Sequence, residues 1–478
     1  MRTLIIICLL LVVALAASPW FVGGAVESSV RDQLAEFDQL PYYKVNVVDY
    51  QRGYRSSVAT ISVGFDEAMF EAMAGDFDDT AAFDEGIKLI ADVQHGPLLT
   101  AHGLSLGWTD MTAKFGRESQ PEFSEFFDIV GQDNLVDWSM HVGLLGAGWF
   151  ATELSDVDGV YEKDGTQIDF VLKGMEDMTV FSNAGTSFSG VGALEEFSIV
   201  VGSEQEISFS IENVKYDGDV TLEDSIWFGV GEGEGSIGNV RFNLADEFET
   251  EIEDLSVHAA MTEGSTSETI DIREVFRAES ANFNGYQVNN AELAFGYANI
   301  SKALIESQIL EAELYAENES GELDPEAQER FLQLLEESLI YSPKIEIESI
   351  AFESDDGQLD VSASAEINGD LLGAGVSLEN PLALIPALTV FADLEISEPI
   401  LRYIMLAATE AQMAGVPEEQ RPNEQEIAQG VDVQLSIVGA TLVQQGYIEI
   451  DGDVYSSSLS FAEGVATLNG QVVPIPGF

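Results

Sequence analysis

Cysteine and basic side chains are scarce in this chain. Cys8 is the only cysteine among 478 residues, so the chain cannot close an internal disulfide and its stability must come from packing. Lysine and arginine together number 19, against 85 aspartates and glutamates, which gives a net charge of −66. Nucleic acids and anionic lipid head groups are bound through clustered basic side chains. The charge therefore argues against both as partners held by a basic surface.

Recognisable catalytic and metal-binding signatures are also missing. The segment 233–238 fits the dinucleotide fingerprint formally, but Glu234 lies where a phosphate would come and strands, not a helix, are expected to follow, so we interpret the segment as a glycine-rich turn. Carboxylate pairs such as Asp217 with Asp219 form no complete EF-hand loop, which leaves only weak surface binding of calcium open. The histidines show no zinc-ligand spacing: His95, His102, His141 and His258. We predict no catalytic residue, no cofactor and no metal centre.

Residues 3–26 contain no charged side chain. A helix rises ~1.5 Å per residue, so ~20 residues cross the ~30 Å hydrocarbon core of a bilayer. Arg2 precedes this run and Glu27 follows it, which by the positive-inside rule keeps the N-terminus in the cytoplasm and exports the remaining chain. We predict a single-pass anchor over residues 1–26. The alternative is a signal peptide cleaved near residues 14–16, which also exports the body.

The excess of acidic residues is spread along the whole chain and indicates a habitat. At ~0.15 M salt the Debye length is ~8 Å and such a surface repels itself, whereas at ~1 M it is ~3 Å and the repulsion is screened. Our hypothesis is an exported protein of a salt-loving bacterium.

The fold class follows from hydrophobic patterning. Hydrophobic residues make up 46% of the chain, which is enough to build cores. Residues 43–65 predict two strands around a turn at Gly53, and short apolar–polar alternations between about 94 and 297 predict further antiparallel strands. Helical spacing recurs at 27–40, 299–341, 400–414 and 424–445, and strands at 344–350, 359–367, 387–394, 446–450 and 455–468. We predict an α+β, mostly β protein: an N-terminal transmembrane helix followed by an elongated antiparallel β-sheet body with helical insertions.

The same patterns predict four regions. They are the anchor or signal peptide over 1–26, a β-rich exported region over 27–300, a helical insertion over 301–342 and a C-terminal α+β region over 343–478.

Several short motifs carry a resemblance. They are Trp20-Phe21-x-Gly23, then Tyr50-Gln51-Arg52-Gly53-Tyr54-Arg55-Ser56-Ser57, then His95-Gly96-Pro97, and finally Leu468-Asn469-Gly470. In this order, and over essentially the whole chain, they resemble the YdgA-like family of bacterial envelope proteins. The resemblance implies a periplasmic protein anchored in the inner membrane by one span, and it brings no assigned catalytic residue. The extreme acidity departs from the family.

Arg52 and Arg55 are the candidate interaction residues. Basic side chains are scarce here, yet these two flank the Gly53-Tyr54 turn soon after the membrane exit. One interpretation is salt bridging to the abundant acids. The other is contact with an anionic group or a partner.

Three functions stay open on this sequence. The first is a non-catalytic envelope protein whose apolar sheet face binds a lipid-like or hydrophobic ligand, and a continuous open apolar groove would support it. The second is a structural or assembly factor that contacts another envelope protein through a flat exposed apolar patch. The third is a hydrolase, which needs a convergent Ser/His/Asp or metal cluster in a cleft.

Overall fold

The computed structural model describes residues 18–31, 34, 43–65, 87–163, 166–182, 185–202, 207–222, 229–245, 248–307, 325–372, 381–413 and 422–473. Antiparallel strands dominate these residues and several helices accompany them, which confirms the α+β, mostly β prediction. The described residues before Phe248 form one compact unit, unit 1, and those from Phe248 onward form a second, unit 2. The domain boundaries expected at residues 26, 300 and 342 stay predictions.

Unit 1 is built on an antiparallel sheet. Pairing runs in the order β1, β2, β3, β5, β6, β7, β10, β11, β12 and β13, while β9 continues beside the second half of β11 and carries β8 on its outer edge. The strands are β1 Tyr43–Arg52, β2 Ser56–Phe65, β3 Ile87–His95, β4 Leu98–Leu99, β5 Ser105–Gly116, β6 Asn134–Gly143, β7 Gly148–Leu154, β8 Val157–Lys163, β9 Thr166–Lys173, β10 Glu176–Ser182, β11 Ser187–Gly202, β12 Ile207–Leu222 and β13 Gly229–Leu244.

A helix over residues 18–31, α1, packs on one face of this sheet. Val26 is buried against a core of small and β-branched strand residues, and Val22, Val30 and Leu34 pack beside it. The four-residue spacing of Val26, Val30 and Leu34 is therefore confirmed as one helix face. Phe37, Pro41 and the start of the predicted anchor lie outside the described residues. Among the residues that are described, no helix combines the length and apolar character that crossing a membrane requires.

A second helix of unit 1, α2, spans Ser124–Val130 and follows a 3-10 turn over Pro121–Phe123. Phe127 and Val130 are buried in a separate core with Leu135 and Val157. Because they are three residues apart, they lie on one face of the helix. Gly131 ends it in the left-handed conformation, with φ of 68°. The sequence patterns did not predict α2.

Unit 2 is a second antiparallel meander. Its strands β14 to β19 pair in sequence, and β21 follows β19 with β20 and β22 on its other edge and β23 beside β22. They are β14 Phe248–Glu263, β15 Thr269–Phe283, β16 Tyr286–Ser301, β17 Lys344–Ser354, β18 Gly357–Ile367, β19 Leu388–Ser397, β20 Glu449–Asp451, β21 Val454–Ala462, β22 Val465–Leu468 and β23 Gln471–Val473.

The helices of unit 2 match the predicted patterns. They are α3 Pro325–Ser338, α4 Glu398–Met413 and α5 Glu424–Gln444. An Arg402–Asp432 ion pair at 2.6 Å joins α4 to α5, and a reciprocal capping box of Asn423 and Glu426 starts α5. Of the helix expected near residues 299–314, the structure describes residues up to 307, which are helical from 302.

Two sequence interpretations are wrong. Segment 233–238 is not a turn but the middle of β13, where the exposed Glu232 and Glu234 alternate with glycines at the two-residue period of a strand. The strand expected over 455–468 is two strands, β21 and β22. Glu463 and Gly464 adopt φ of 53° and 78° and reverse the chain between them.

Candidate functional site

The N-terminal motifs come together where α1 begins. The Arg52 guanidinium carbon lies 4.7 Å from the centre of the Trp20 ring, and Nη1 of Arg52 lies 3.5 Å from Oε2 of Glu27. Arg52 therefore ties the turn between β1 and β2 to the first turns of α1, by a cation–π contact and an ion pair.

His95 is the buried member of this cluster and lies between α1 and the sheet. It is fully buried, and its Nε2 lies 3.2 Å from Oγ of Ser57. Burial lowers the pKa of His95 below its ordinary value. The Pro19 carbonyl opposes that fall, and the positive charge of Arg52 adds to it. His95 is therefore a neutral, packed imidazole at pH 7, on which α1 rests.

Gly23 allows α1 to approach this imidazole. A Cβ at this position would lie 2.6 Å from Cε1 of His95, whereas a Cβ at Gly24 would meet only the end of the Arg52 side chain, at 3.1 Å. Both changes to alanine gain ~1 kcal/mol of helix propensity. Only Gly23→Ala should also incur an overpacking cost of roughly 1–3 kcal/mol. We expect Gly23→Ala to be less stable than Gly24→Ala by that amount in urea denaturation of the full chain, and equal stabilities would contradict the close packing.

Arg55 is held differently from Arg52. Its Nη2 donates to the carbonyl of Leu98 at 3.1 Å, and its own carbonyl accepts from the backbone N–H of His95 at 3.0 Å. No carboxylate of the described chain pairs with Arg55. Within the described residues, salt bridging thus applies to Arg52 and not to Arg55, while contact of either arginine with an anionic partner stays a prediction.

A histidine–aspartate pair lies on the opposite face of the sheet. Thr109 pairs with His95 and the next residue, Asp110, pairs with His141, and successive strand residues point to opposite faces. Nδ1 of His141 donates to Oδ1 of the fully buried Asp110 at 2.6 Å. The His141 ring stacks on Trp149, with ring centres 6.3 Å apart. The strand spacing alone did not predict this polar pair.

These two pairs bear on the hydrolase hypothesis. A catalytic triad needs a hydroxyl on the imidazole nitrogen that faces away from the carboxylate. No hydroxyl in the described part of the chain bonds to Nε2 of His141. The Ser57–His95 pair has a hydroxyl on Nε2 of the imidazole, but both side chains are buried beneath α1. Among the described residues, no group of three or more His, Cys, Asp or Glu side chains is arranged to hold a metal ion.

An open apolar groove lies beside α2, where β5 ends and β6 begins. Its volume is about 370 Å³, and among the described residues Ser155 is the one polar side chain in its lining. A second concavity of about 340 Å³ shares Phe126 and Phe170 with it. The lining consists of Phe115, Phe126, Leu135, Val136, Leu154, Ser155, Val157, Phe170, Val171, Leu172 and Phe197. We call this feature the α2 groove.

Strand register extends the α2 groove into a continuous apolar face. Ile199 of β11 lies opposite Phe170 of β9 and Phe209 of β12, and Phe209 lies opposite Phe242 of β13. The rows on either side have the same character. One is Leu172, Phe197, Ile211 and Val240, and the other is Ile168, Val201, Ile207 and Leu244. One-sided apolar strands were predicted for this region, and the register confirms them.

The chain matches, over residues 1–476, the family described as "Bacterial protein of unknown function (DUF945)". It belongs to this family. The resemblance to the YdgA-like family is compatible with membership of DUF945. No curated protein and no solved structure matches the chain.

In this DUF945 chain the sequence motifs and the α2 groove are separate features. The motifs pointed to Arg52 and Arg55, which the structure brings close to Trp20 and His95. Nothing in the motifs pointed to Phe126 or Phe170. The available signals were Pro121 at the start and Gly131 at the end of a short helical stretch, which together mark helix ends.

Proposed function

We propose that the protein is a membrane-anchored envelope protein that binds a lipid-like or hydrophobic ligand in the α2 groove, without catalysing a reaction on it. The observation that carries the proposal is the groove itself: open, about 370 Å³ and lined almost entirely by Phe, Leu and Val. Ligand sites commonly measure roughly 300–1,000 Å³.

The chemistry of the lining selects the ligand class. A buried hydroxyl, amide or charge on a ligand needs a partner, or its desolvation costs binding free energy. The groove has little to offer such a group, because Ser155 is the one polar side chain that lines it. An acyl chain or another hydrocarbon needs no such partner and is favoured by about 25 cal/mol per Å² of buried apolar surface. The groove therefore suits the apolar part of a lipid.

Attachment to the inner membrane is proposed from the N-terminal run. Residues 3–21 carry no charge, and a helix of that length would rise about 28 Å, close to the hydrocarbon thickness of a bilayer. Trp20 and Phe21 are exposed, whereas Val22 and Val26 pack on the sheet of unit 1. We place the end of the span in the first turn of α1, residues 18–21, where Trp20 already contacts Arg52, and the body in the periplasm.

Photocrosslinking in cells tests the ligand proposal before detergent is added, so that detergent cannot displace a ligand from the groove. Bacteria that express the full chain would be fed palmitic acid carrying a diazirine and an alkyne, irradiated, and the labelled peptides mapped by mass spectrometry. We expect adducts on groove residues between 115 and 197. Phe126→Ser should reduce these adducts about tenfold or more, which corresponds to ~1.4 kcal/mol of binding free energy.

Phe391→Ser in unit 2 is the matched control. Phe126 and Phe391 are 38% and 49% exposed, so neither change should unfold its unit, and Phe391 lies outside the α2 groove. Its labelling should equal that of the unchanged chain. Adducts confined to residues 1–31 would report only the anchor and would overturn the ligand proposal.

A further inference from the structure

Acidic residues are absent from particular stretches of unit 1. More than one residue in six of the whole chain is Asp or Glu, yet 50–65, 93–109 and 138–152 contain none, like the N-terminal run 3–26. These stretches are separated in sequence by acidic segments. Each contains a chain reversal of the sheet.

The structure brings these reversals to one end of unit 1. They are the β1–β2 turn, the connection from β3 to β5 and the β6–β7 turn. Arg55 of the first donates to the Leu98 carbonyl of the second at 3.1 Å. Nε1 of Trp108, next to the second, donates to the Leu144 carbonyl of the third at 3.0 Å. The start of α1 joins them, because Trp20 lies over Arg52.

Large apolar side chains are exposed at this end. Leu104 and Leu145 are 79% and 93% exposed, and they stand among further exposed aromatic and leucine side chains. We call the set of Phe21, Tyr54, Leu104, Leu106, Trp108 and Leu145 the turn patch. Exposed apolar patches on soluble surfaces mark places where another apolar phase or partner binds.

We propose that the turn patch lies against the surface of the bilayer that holds the N-terminal run. The uncharged run 3–26 and the patch overlap, since Phe21 belongs to both. Absence of carboxylates also fits this occupant, because anionic lipid head groups repel acidic side chains. Tryptophan, tyrosine and arginine are the side chains that favour the boundary between lipid and water.

The inference rests on the proposed anchor and adds a second, independent contact that fixes the orientation of unit 1. β5 starts at Ser105 in the patch region, and Phe115 near its other end lines the α2 groove. At ~3.3 Å per residue, the groove stands roughly 30 Å from the patch. A lipid in the groove would therefore have left the bilayer.

Site-specific fluorescence quenching tests the bilayer contact. In a Cys8→Ser background, Leu145→Cys in the patch and Val160→Cys on β8 would each be labelled with bimane. Both native side chains are exposed, at 93% and 55%, so both labels start accessible. The full chain would be placed in phosphatidylcholine nanodiscs, one copy per disc, in ~1 M salt to screen its charge. Doxyl-labelled phosphatidylcholine and water-soluble acrylamide are the two quenchers.

The expected result is opposite behaviour at the two sites. Doxyl lipid should quench the label at 145 and leave that at 160 unchanged. The acrylamide quenching constant of the label at 145 should be lower than that of the label at 160 by roughly threefold or more, because the lipid boundary excludes acrylamide. Equal acrylamide quenching without doxyl quenching would overturn the inference. Acrylamide protection without doxyl quenching would also overturn it and indicate a protein cover. Protein that does not stay with the discs would refute the anchor, and this inference with it.

Discussion

Raising sodium chloride from ~0.15 M to ~1 M is expected to raise the melting temperature of the protein by on the order of 10 °C. The net charge of −66 is the reason. Two unit charges 10 Å apart in water repel by ~0.4 kcal/mol before screening. A Debye length of ~8 Å leaves about a third of this repulsion, and one of ~3 Å leaves almost none.

The strand register shows where part of this repulsion acts. Asp217 lies directly opposite Glu234 and Asp219 opposite Glu232 in the β12–β13 pair, and Asp360 lies opposite Glu395 in unit 2. Like charges directly opposite each other destabilise a sheet. Each screened neighbour pair recovers ~0.1 kcal/mol by the same Coulomb estimate, so 66 surplus acidic groups sum to several kcal/mol.

Circular dichroism melting of the full chain in chloride salts is the measurement. Chloride is preferred because sulfate and phosphate strengthen apolar burial by a separate mechanism. Potassium and sodium chloride at equal ionic strength should act alike, since screening depends on ionic strength. A melting temperature that does not change with salt would refute the charge argument and, with it, the salt-loving habitat.

Strands were predictable here because their signal is local. One-sided strands alternate with period two, and the row of Leu172, Phe197, Ile211 and Val240 shows that the alternation was read in the correct phase. Helices α4 and α5 were predictable for the same reason, since each is long enough to repeat its pattern.

The features that the sequence could not predict depend on contacts between residues far apart in the chain or on elements too short to show a period. α2 has seven residues, so Phe127 and Val130 are its two buried positions and give no period. The contact of Ser57 with His95 joins residues 38 apart, and that of Gly23 with His95 spans a still longer separation. The motifs marked these residues as a group without indicating that a helix rests on them. The α2 groove is similarly assembled from β5, α2, β6, β7, β8, β9 and β11.

Phe127→Ala is expected to destabilise unit 1 by about 3–5 kcal/mol, the usual cost of removing a fully buried phenyl ring. Phe127 is fully buried, and its ring lies 5.8 Å from that of Phe115 and 6.0 Å from that of Phe126. The ring holds α2 against the sheet, so its loss leaves a cavity that the short helix cannot fill.

Phe126→Ala is the matched control, because it removes the same side chain from the neighbouring position. Phe126 is 38% exposed and faces the α2 groove, so less apolar surface returns to water and the cost should be about 1 kcal/mol or less. Urea denaturation in ~1 M salt, followed by tryptophan fluorescence, isolates the relevant unit. All five tryptophans precede residue 248 and therefore report on unit 1.

The two variants distinguish the anchoring of α2, which forms one wall of the groove, from the lining of the groove by Phe126. If Phe127 fixes α2 to the sheet, Phe127→Ala lowers the urea midpoint strongly, whereas Phe126→Ala leaves it nearly unchanged and reduces palmitate labelling. Equal midpoints for the two variants would mean that α2 is not fixed by the core beneath it. The groove would then have no rigid wall on that side, and a ligand site there would have to form when the ligand binds.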